Sequence, residues 1–528
     1  MDRRMFLATA AGIPGLVLAD PRPALAMLPI DSGPIPVGSR KQLFFDGRFI
    51  ESSRGVRLKV NPPVKAERVL LPEKPWETKG IHAYSTILEH DGVYKMWYDA
   101  FAAGGHPHSR SICYATSRDG IQWARQNVNL FEWEAIRNNN IVMPGTNGSV
   151  MIDPNGPDEH RFKALVLVTE NSVWPESQGA IAGEYDGKLF LELYLCTSPD
   201  GIRWRRQKTP ALPFFHDTQN HFFFDTRLRK YVAYVRTHEA GRTVGRTEFD
   251  DPLKLPWPFT EQPGEARGPG ISRRAVGGEF HVALARDESD PTDTDLYTPS
   301  VVQYPWAENA YLSFPSAYRH YRYAGGAPQE KDERGRHRND GPLEIQLAVS
   351  RDGLSWSRPD RRPYVPLGLR GSWDGGQIYM ALGMIRKGSE IWQYYSGTFY
   401  THGAYDPAAP DNSGGLCRLV QRLDGFMSAD AEYTGAELVT PLLTFSGGRL
   451  ELNIDCSAMG EAWVEMLDEH NRPIPGYRLQ DSIGVDRNDI AAQVRWKERE
   501  DASELAGRPV RLHFKLRACK LYAFQFQG

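Results

Sequence analysis

The apolar residues of this chain fall into short runs that are separated by turn-forming residues. Three of these runs lead into one and the same turn, Ser-x-Asp-Gly-(Ile/Leu)-x-Trp, and the runs with their turns occupy residues 112–123, 193–204 and 345–356. Such runs predict β-strands, and Asp-Gly predicts a tight hairpin because glycine readily adopts a positive φ. The Trp then begins the returning strand. Three copies of one turn therefore indicate repeated structural units.

Two weaker copies of the turn complete the series. Residues 247–257 lack the Gly, and residues 422–426 carry Phe where Trp is expected. Five repeated units of four strands predict the blades of a five-bladed β-propeller, in which each blade buries its faces against its neighbours. Repetition of a motif is typical of architecture, so these turns are interpreted as scaffold.

The repeat stops near residue 431, and shorter strands with strict alternation follow at residues 450–454, 462–467 and 510–516. Alternation with a period of two predicts a small β-sandwich with one solvated side. The predicted fold is thus all-β, a five-bladed β-propeller over residues 40–430 followed by a small C-terminal β-sandwich over residues 431–528. The sandwich either binds carbohydrate or braces the propeller.

Composition fits this fold and excludes some classes of partner. The 528 residues include 49 Gly and 38 Pro, and 11% are aromatic, as expected for many short strands joined by turns. The formal net charge of -3 provides no basic surplus for nucleic acid. No stretch after the N-terminal segment is long and apolar enough to span a bilayer.

The N-terminal segment is typical of a targeting signal. Arg3 and Arg4 precede an apolar run from Ala8 to Ala19, and Ala24-Leu25-Ala26 forms an A-x-A cleavage site. The pattern over residues 1–26 resembles a twin-arginine signal peptide. It predicts a periplasmic or secreted protein.

The five cysteines form neither a disulfide framework nor a metal-ligand cluster in their spacing. Cys113, Cys196 and Cys417 lie on predicted strands, where a small buried hydrophobic residue is expected. Cys456 and Cys519 either stay reduced or pair with each other in an oxidising compartment.

In a propeller, the upper ends of the inner strands meet at the mouth of the central channel. The residues just before these strands are polar: His82, Tyr84, Asn147, Asp217, Asn220, Asp295, Tyr297, Asp374 and Gln377. The ends of the second strands return to the same face and carry Asp99, Glu170, Arg236, His238, Glu239, Arg319, His320, Tyr395 and His402. Acids, amides, imidazoles and aromatic rings around a concave mouth suit a sugar.

The blade pattern carries a resemblance to known enzymes. Residues 94–98 (Tyr-Lys-Met-Trp-Tyr) followed by residues 113–123 resemble the five-bladed propeller glycoside hydrolases related to families 32, 43, 68, 117 and 130, and the resemblance covers roughly residues 40–430. It implies acidic residues on successive inner strands that act as nucleophile or base, transition-state stabiliser and general acid. Where families 32 and 43 have the first-blade Asp, this chain has His82 or Tyr84. The family triad therefore cannot be transferred blade by blade.

Glycoside hydrolysis requires two carboxyl groups, one to protonate the leaving oxygen and one to act as nucleophile or to activate water. We predict Asp217 and Asp374 as the working pair and Glu170 as the general acid. The remaining mouth residues are predicted to bind substrate: His82, Tyr84, Asn147, Asn220, Arg236, Asp295, Tyr297, Arg319, His320, Gln377 and His402.

The cationic residues of the predicted mouth suggest an anionic substrate. Arg236, Arg319, His320 and His402 could pair with sulfate or uronate groups, or the two arginines could bridge neighbouring blades through acids. His82, His320 and His402 could instead hold a structural metal ion near the axis, although their spacing identifies none, and no cofactor is expected.

Two functions remain open at this point. The chain is either an exported glycoside hydrolase acting on a polysaccharide or its oligosaccharides, or a non-catalytic carbohydrate-binding propeller that lacks the first-blade acid. A sialidase-type propeller is disfavoured because its repeated turn has one more residue between Asp and Trp. The sugar, the linkage, the stereochemical outcome and the oligomeric state do not follow from the sequence.

Overall fold

The computed structural model describes residues 33–102, 109–168, 192–213, 216–237, 242–259, 280–321, 331–333, 336, 339–404 and 414–528, together with the backbone of the short strands Glu184–Tyr185 and Lys188–Leu189. The predicted signal peptide and Glu170 lie outside these residues. Within them the protein is all-β, as predicted, and the helices are single 3-10 turns: Gly47–Phe49, Pro75–Glu77, Asp158–His160, His402–Ala404 and Ser503–Leu505. None of the helices in these ranges is long and apolar enough to cross a membrane.

Five sheets follow one another along the chain: sheets 1 to 4 are antiparallel with four or five strands each, and sheet 5 has eight strands with one parallel pair. Sheet 1 contains Gly80–His90, Val93–Phe101, Arg110–Ser117, Ala124–Arg125 and Ile141–Pro144. Sheet 2 contains Thr146–Ile152, Phe162–Val168, Glu192–Ser198 and Arg205–Arg206. Sheet 3 contains His221–Asp225, Lys230–Thr237, Thr243–Phe249 and His281–Leu284. Sheet 4 contains Val301–Gln303, Tyr311–Ser313, Ala348–Ser350 and Trp356–Ser357.

Sheet 5 is closed by a strand from the beginning of the chain. It contains Gln377–Met380, Ile385–Lys387, Glu390–Thr398, Leu416–Arg422 and, at its edge, Val64–Leu70. The last of these strands precedes sheet 1 in sequence and pairs antiparallel with Leu416–Arg422. Three short strands extend sheet 5 on its other side through a parallel pair between Leu343 and Gln377: Thr294–Leu296, Ser316–Arg319 and Leu343–Ile345.

Hydrogen bonds connect the first strands of successive sheets. The backbone N–H of Val150 in sheet 2 donates to Thr86 Oγ1 in sheet 1 at 3.2 Å. The N–H of Ile87 in sheet 1 donates at 2.9 Å to the carbonyl of Leu382, which lies just after the first strand of sheet 5. Sheet 1 therefore contacts both sheet 2 and the segment between the strands of sheet 5. The amide of Gln219, just before sheet 3, donates to the carbonyls of Ser85 and Gly148.

The repeated turns have one common geometry. In each, the glycine has a positive φ, between +74° and +78°, and its N–H donates to the Ser Oγ at 2.9 Å. The glycine carbonyl accepts the indole N–H of the turn's own Trp at 3.1–3.2 Å. It also accepts a bond of 2.7 Å from another sheet, and the donors to Gly120, Gly201 and Gly353 are Tyr394, Trp97 and Tyr234 respectively. The turns thus hold neighbouring sheets together.

Two further sheets enclose a separate apolar cluster at the C-terminal end. The larger contains Gln42–Leu43, Val56–Val60, Met427–Ala431, Arg449–Asp455, Asn488–Gln493 and Cys519–Gln527. The smaller contains Ser52–Arg54, Ala436–Val439, Glu461–Leu467 and Arg511–Arg517. The predicted boundary at residue 40 is therefore wrong, because residues 42–60 hydrogen-bond with C-terminal strands that the sequence pattern does not connect to them.

Side chains join the C-terminal sheets to sheets 4 and 5. Arg422 donates to Asn453 Oδ1 at 2.7 Å and to two carbonyls beyond it. Arg351, in the third repeated turn, binds Asp46 and lies 3.9 Å above the ring of Phe45. Cys113, Cys196 and Cys417 are buried in sheets 1, 2 and 5, as predicted.

Candidate functional site

The site is organised around Asp217, which lies in the segment before the first strand of sheet 3. Its side chain is partly exposed, and Oδ1 accepts a hydrogen bond from Asn147 Nδ2 at 3.3 Å. The segment is anchored by Thr218, whose hydroxyl donates to the carbonyl of Tyr297, and by Gln219. Unlike Asp295 and Asp374, Asp217 has no ion pair among the described residues.

Asn147 has an unusual backbone that aims its amide at Asp217. Its φ is +61°, at a bulge between Thr146 and Ser149 in the first strand of sheet 2. Asn is one of the few residues that tolerate this conformation. Its N–H donates to Asp99 Oδ2 at 2.9 Å, and the hydroxyl of Thr146 donates to the same oxygen at 2.7 Å. Asp99 thus stabilises the bulge from behind.

Asp99 is a buried carboxyl group that was not among the predicted catalytic or binding residues. It is 2% exposed, and Oδ1 has no hydrogen-bond partner in the described part of the chain. Burial raises the pKa of Asp99 to about 7, although the bonds from Thr146 and Asn147 act in the opposite direction. Its position at the upper end of a second strand was the one available signal in the sequence.

Tyrosine rings form one wall of the site. Tyr84 contacts Tyr379 edge to face with ring centres 5.5 Å apart, and Tyr297 contacts Tyr379 at 6.2 Å and Tyr318 at 5.9 Å. Burial, and then charges that include Asp217, raise the pKa values of Tyr84, Tyr297 and Tyr379. The hydroxyl groups of these three residues therefore stay protonated.

His402 and Gln377 lie beside this wall. The hydroxyl of Tyr379 donates to Gln377 Oε1 at 2.8 Å and lies 2.8 Å from His402 Nδ1. Burial and then the charge of Arg242 lower the pKa of His402 to about 3, so its imidazole is neutral. The structure therefore brings the predicted residues Tyr84, Tyr297, Gln377 and His402 together near Asp217.

Two arginines near Tyr297 differ in how they are neutralised. Arg242 Nη1 binds Asp295 Oδ2 at 2.8 Å, and His320 Nε2 donates to the same oxygen at 2.8 Å. Burial raises the pKa of Asp295, but the bonds from His320 and Arg242 outweigh it and hold the pKa at about 2. Arg236 is 3% exposed and lies 4.0 Å above the Tyr297 ring without an ion pair among the described residues.

Asp374, the second member of the predicted catalytic pair, is bonded to other residues, and no contact described in the structure joins it to Asp217. Its Oδ2 forms an ion pair with Lys65 at 2.7 Å and accepts a bond from Tyr395 at 2.8 Å. None of its hydrogen-bond partners is a partner of Asp217. Lys65 lies on the strand that closes sheet 5, which the sequence analysis did not recognise as part of that sheet.

Asn220 and Arg319 are also placed differently from the prediction. The amide of Asn220 is fully buried and bonded to backbone groups of His216, Thr218 and Arg236. Arg319 pairs with Glu344 at 2.6 Å. Arg319 alternates with Tyr318 along its strand, so its side chain points away from the tyrosine wall.

His82 forms its own contacts at the edge of sheet 1. Its ring stacks on Phe101 with centres 4.2 Å apart, and its Nε2 lies 3.3 Å from the hydroxyl of Tyr400. Burial lowers the pKa of His82 to about 4. Among the residues with described positions, no group of three His, Cys, Asp or Glu side chains could hold a metal ion.

Comparison with known sequences gives few relatives. No family model matches the chain. The uncharacterized protein Rv1502 of Mycobacterium tuberculosis is 25% identical over 179 residues, which are 32% of this chain and 48% of the relative. The uncharacterized protein MT1551 of another strain of the same species matches equally. The chain thus spans about half the length of the curated relatives it matches.

Comparison with solved structures gives similarities of low sequence identity. An N-acetylgalactosamine deacetylase from F. plautii is 14% identical with a TM-score of 0.42, over 70% of this chain and 96% of that one. A thermostable family-43 glycoside hydrolase is 13% identical with a TM-score of 0.37, over 70% and 96%. A family-32 beta-fructofuranosidase from Bombyx mori is 9% identical with a TM-score of 0.38, over 89% and 95%.

Proposed function

We propose that this chain is an exported glycoside hydrolase whose site is the polar mouth around Asp217. In this proposal sheets 1 to 5 are the blades of one five-bladed propeller, and the two C-terminal sheets form a sandwich that braces it. The hydrogen bonds that join sheet 1 to both sheet 2 and sheet 5 support a closed ring. The substrate is a polysaccharide or oligosaccharide, and anionic sugars are among those accepted.

The observation that carries the proposal is the setting of Asp217. An acceptor carboxylate without an ion pair among the described residues faces protonated tyrosines, a neutral imidazole and an amide. Hydroxyl and amide donors suit sugar hydroxyl groups, and aromatic rings suit the apolar faces of a sugar. Lys65 and Arg242 occupy the carboxylates of Asp374 and Asp295, which leaves Asp217 as the reactive group.

We assign to Asp217 the role of the ionised carboxylate, either nucleophile or base. Asn147 orients it, and Asp99 holds the backbone of Asn147 in turn. Asp99 is therefore a positioning residue. The second carboxyl group that hydrolysis requires is predicted to be Glu170, which lies outside the described residues and whose role rests on the sequence alone.

The proposal is tested by comparing two Asp→Asn variants of identical chemistry. Reducing-sugar release from a panel of neutral and anionic plant and algal glycans is measured for the wild type, Asp217→Asn and Asp374→Asn. Removal of an essential carboxylate is expected to lower kcat by at least 10³-fold in Asp217→Asn. Asp374→Asn is expected to keep kcat within a few-fold, because the carboxylate of Asp374 is already paired with Lys65. Equal losses in both variants would refute the assignment.

A non-catalytic carbohydrate-binding propeller is the second candidate. It is favoured by the fact that two of the three predicted acids within the described residues are committed to ion pairs. Glycan-array binding by the wild type without release of reducing sugar, and unchanged binding by Asp217→Asn, would support it over the hydrolase.

A further inference from the structure

We propose that Arg236 is the anchor of a carboxylate-binding subsite, so that the sugar held next to Asp217 is a uronic acid. This inference rests on the proposed carbohydrate site and adds the substrate class.

Arg236 is a buried cation without an ion-pair partner in the described part of the chain. It is 3% exposed, and its Nε has no hydrogen-bond partner there. One donor, Nη2, is used by the carbonyl of Tyr297 at 3.1 Å. A charge is taken out of water at a cost of several kcal/mol unless an anion or several acceptors replace the solvent. The guanidinium group is therefore built to receive an acceptor that the described residues do not supply.

The contacts of Arg236 hold its guanidinium group in a fixed orientation. Its carbon lies 4.0 Å above the ring of Tyr297, and the bond to the Tyr297 carbonyl prevents rotation of the group. The backbone N–H of Arg236 donates to Asn220 Oδ1 at 2.8 Å, and this bond holds the strand that carries Arg236. A planar fork that is held in this way matches the two oxygens of a carboxylate.

The other charged groups nearby are already matched with each other. Arg242 pairs with Asp295, and Asp295 also accepts from His320. The neutral His402 adds no charge. Asp217 contributes one negative charge near the same tyrosines, and its Oδ1 is bonded to Asn147. Among the described residues around Tyr297, Arg236 is therefore the cation that no acid pairs with, and in this inference it binds the ligand while Asp217 takes part in the reaction.

The test compares sugars that differ only in the acid group, on wild-type protein. Isothermal titration measures the affinity for galacturonate and glucuronate and their short oligomers, for galactose and glucose and their matching oligomers, and for galactose 6-sulfate. A charge-assisted bond to a uronate is expected to give at least about tenfold tighter binding than the neutral parent. Equal affinity for uronate and parent sugar, or no uronate binding, would overturn the inference. Preference for the sulfated sugar over both uronates would overturn it in favour of a sulfate subsite.

Variants separate this subsite from the general field of the protein. Arg236→Gln is expected to abolish the preference for uronate, and Arg236→Lys, which keeps the charge but not the fork, to reduce it. Arg319→Gln removes the same charge from a residue that is paired with Glu344 and is expected to keep the preference. Circular dichroism confirms that each variant is folded, and the wild-type comparison stands even if Arg236→Gln is not.

The outcome also distinguishes this inference from the proposed hydrolase. Uronate-selective binding without any bond cleavage would keep the subsite and refute the hydrolase. Cleavage of neutral glycans with no preference for uronate would keep the hydrolase and refute the subsite.

Discussion

Asn147 donates a hydrogen bond to Asp217 from a backbone conformation that few residues tolerate. The effects of its side chain and of its φ of +61° can therefore be separated by substitution. Asn147→Gly keeps the conformation and removes the amide, whereas Asn147→Ala removes the amide and adds roughly 1–2 kcal/mol of backbone strain. Both variants are expected to lose roughly 10- to 100-fold in kcat/KM, because a bond to a charged group is lost. Chemical denaturation is expected to show a lower stability for Asn147→Ala alone. Unchanged kcat/KM in Asn147→Gly would show that the amide does not orient Asp217.

Asp99 is expected to make stability depend on pH between about 4 and 7. Its pKa of about 7 in the folded protein lies above the unfolded value of about 3.9. The folded state therefore holds the proton where the unfolded state has lost it, and the free energy of unfolding falls as the pH rises through this range, by at most about 1.4 kcal/mol per pH unit.

The side chain of Asn in Asp99→Asn can still accept bonds from Thr146 and Asn147. The thermal midpoint of this variant is expected to lack the pH dependence that Asp99 causes in the wild type. Asp295→Asn is the control. The pKa of Asp295 is lowered to about 2, so its contribution is complete above the unfolded pKa and is lost only as the pH falls toward 2. If the thermal midpoints of the wild type and Asp99→Asn changed with pH in the same way between pH 4.5 and 8, this would contradict a buried Asp99 that holds a proton.

The Lys65–Asp374 pair is expected to stabilise the fold without taking part in catalysis. Lys65→Gln leaves the carboxylate of Asp374 bonded only to Tyr395 and Ser372. Because Lys65 is partly exposed, the loss is expected to be roughly 1–3 kcal/mol, below that of a fully buried pair. Burial raises the pKa of Asp374, and the bonds from Lys65 and Tyr395 lower it by more. The stabilisation is therefore present above the unfolded pKa and is lost as the pH falls through the lower folded value.

Urea unfolding at pH 7 and at pH 3 measures this effect, and kcat/KM measured on the same samples gives the comparison with Asp217→Asn. A large loss of kcat/KM in Lys65→Gln without a loss of stability would show that Asp374 takes part in the reaction.

Gly201 and Gly92 test how the repeated turn joins two sheets. Both have a positive φ, +76° and +71°, but a Cβ on Gly201 would lie 2.7 Å from the Trp97 ring, whereas a Cβ on Gly92 would meet nothing within 4 Å. Gly92→Ala is expected to cost about 1 kcal/mol for the backbone alone. Gly201→Ala adds overpacking and weakens the bond from the Trp97 indole, for a further 1–3 kcal/mol or so. Urea unfolding of both variants measures the difference, and equal losses would mean that the contact between the sheets contributes nothing.

Cys456 and Cys519 are predicted to form a disulfide under oxidising conditions. The antiparallel register that pairs Asp455 with Lys520 also places Cys456 opposite Cys519, and each thiol affects the pKa of the other. Reaction with glutathione disulfide, which accepts the two electrons, is expected to remove two of five titratable thiols and to stabilise the fold by about 2–4 kcal/mol. Peptide mapping without reductant identifies the bond, and Cys456→Ser is the control. Five free thiols after oxidation would contradict the prediction.

The sequence predicts the features that are determined by residues close together in the chain. The turns at Gly120, Gly201 and Gly353 follow directly from a motif whose Ser, Asp, Gly and Trp bond to one another. Several residues at or near the start of the first strands lie close together, because strand order and direction fix where a strand begins. Asn147, Tyr84, Tyr297 and Asp217 are in this group.

Partners that are distant in sequence determine the rest. Asp374 has all the local features of a mouth residue, but its carboxylate is bonded to Lys65, 309 positions away. Asp99 supports Asn147 from a neighbouring sheet, and its importance depends on burial that no motif announces. Whether an acidic side chain is left for catalysis thus depends on which cation pairs with it, and that pairing is determined by the complete fold.

The strand Val64–Leu70, which completes sheet 5, has a consequence for how the protein is made. It leaves the ribosome early, but its partner Leu416–Arg422 is synthesised some 350 residues later, so an unpaired edge persists through most of translation. A chain that stops before residue 416 would expose that edge permanently and would be a substrate for chaperones and proteases. Only a chain that has been synthesised as far as residue 422 can therefore pair the whole of Val64–Leu70 in sheet 5.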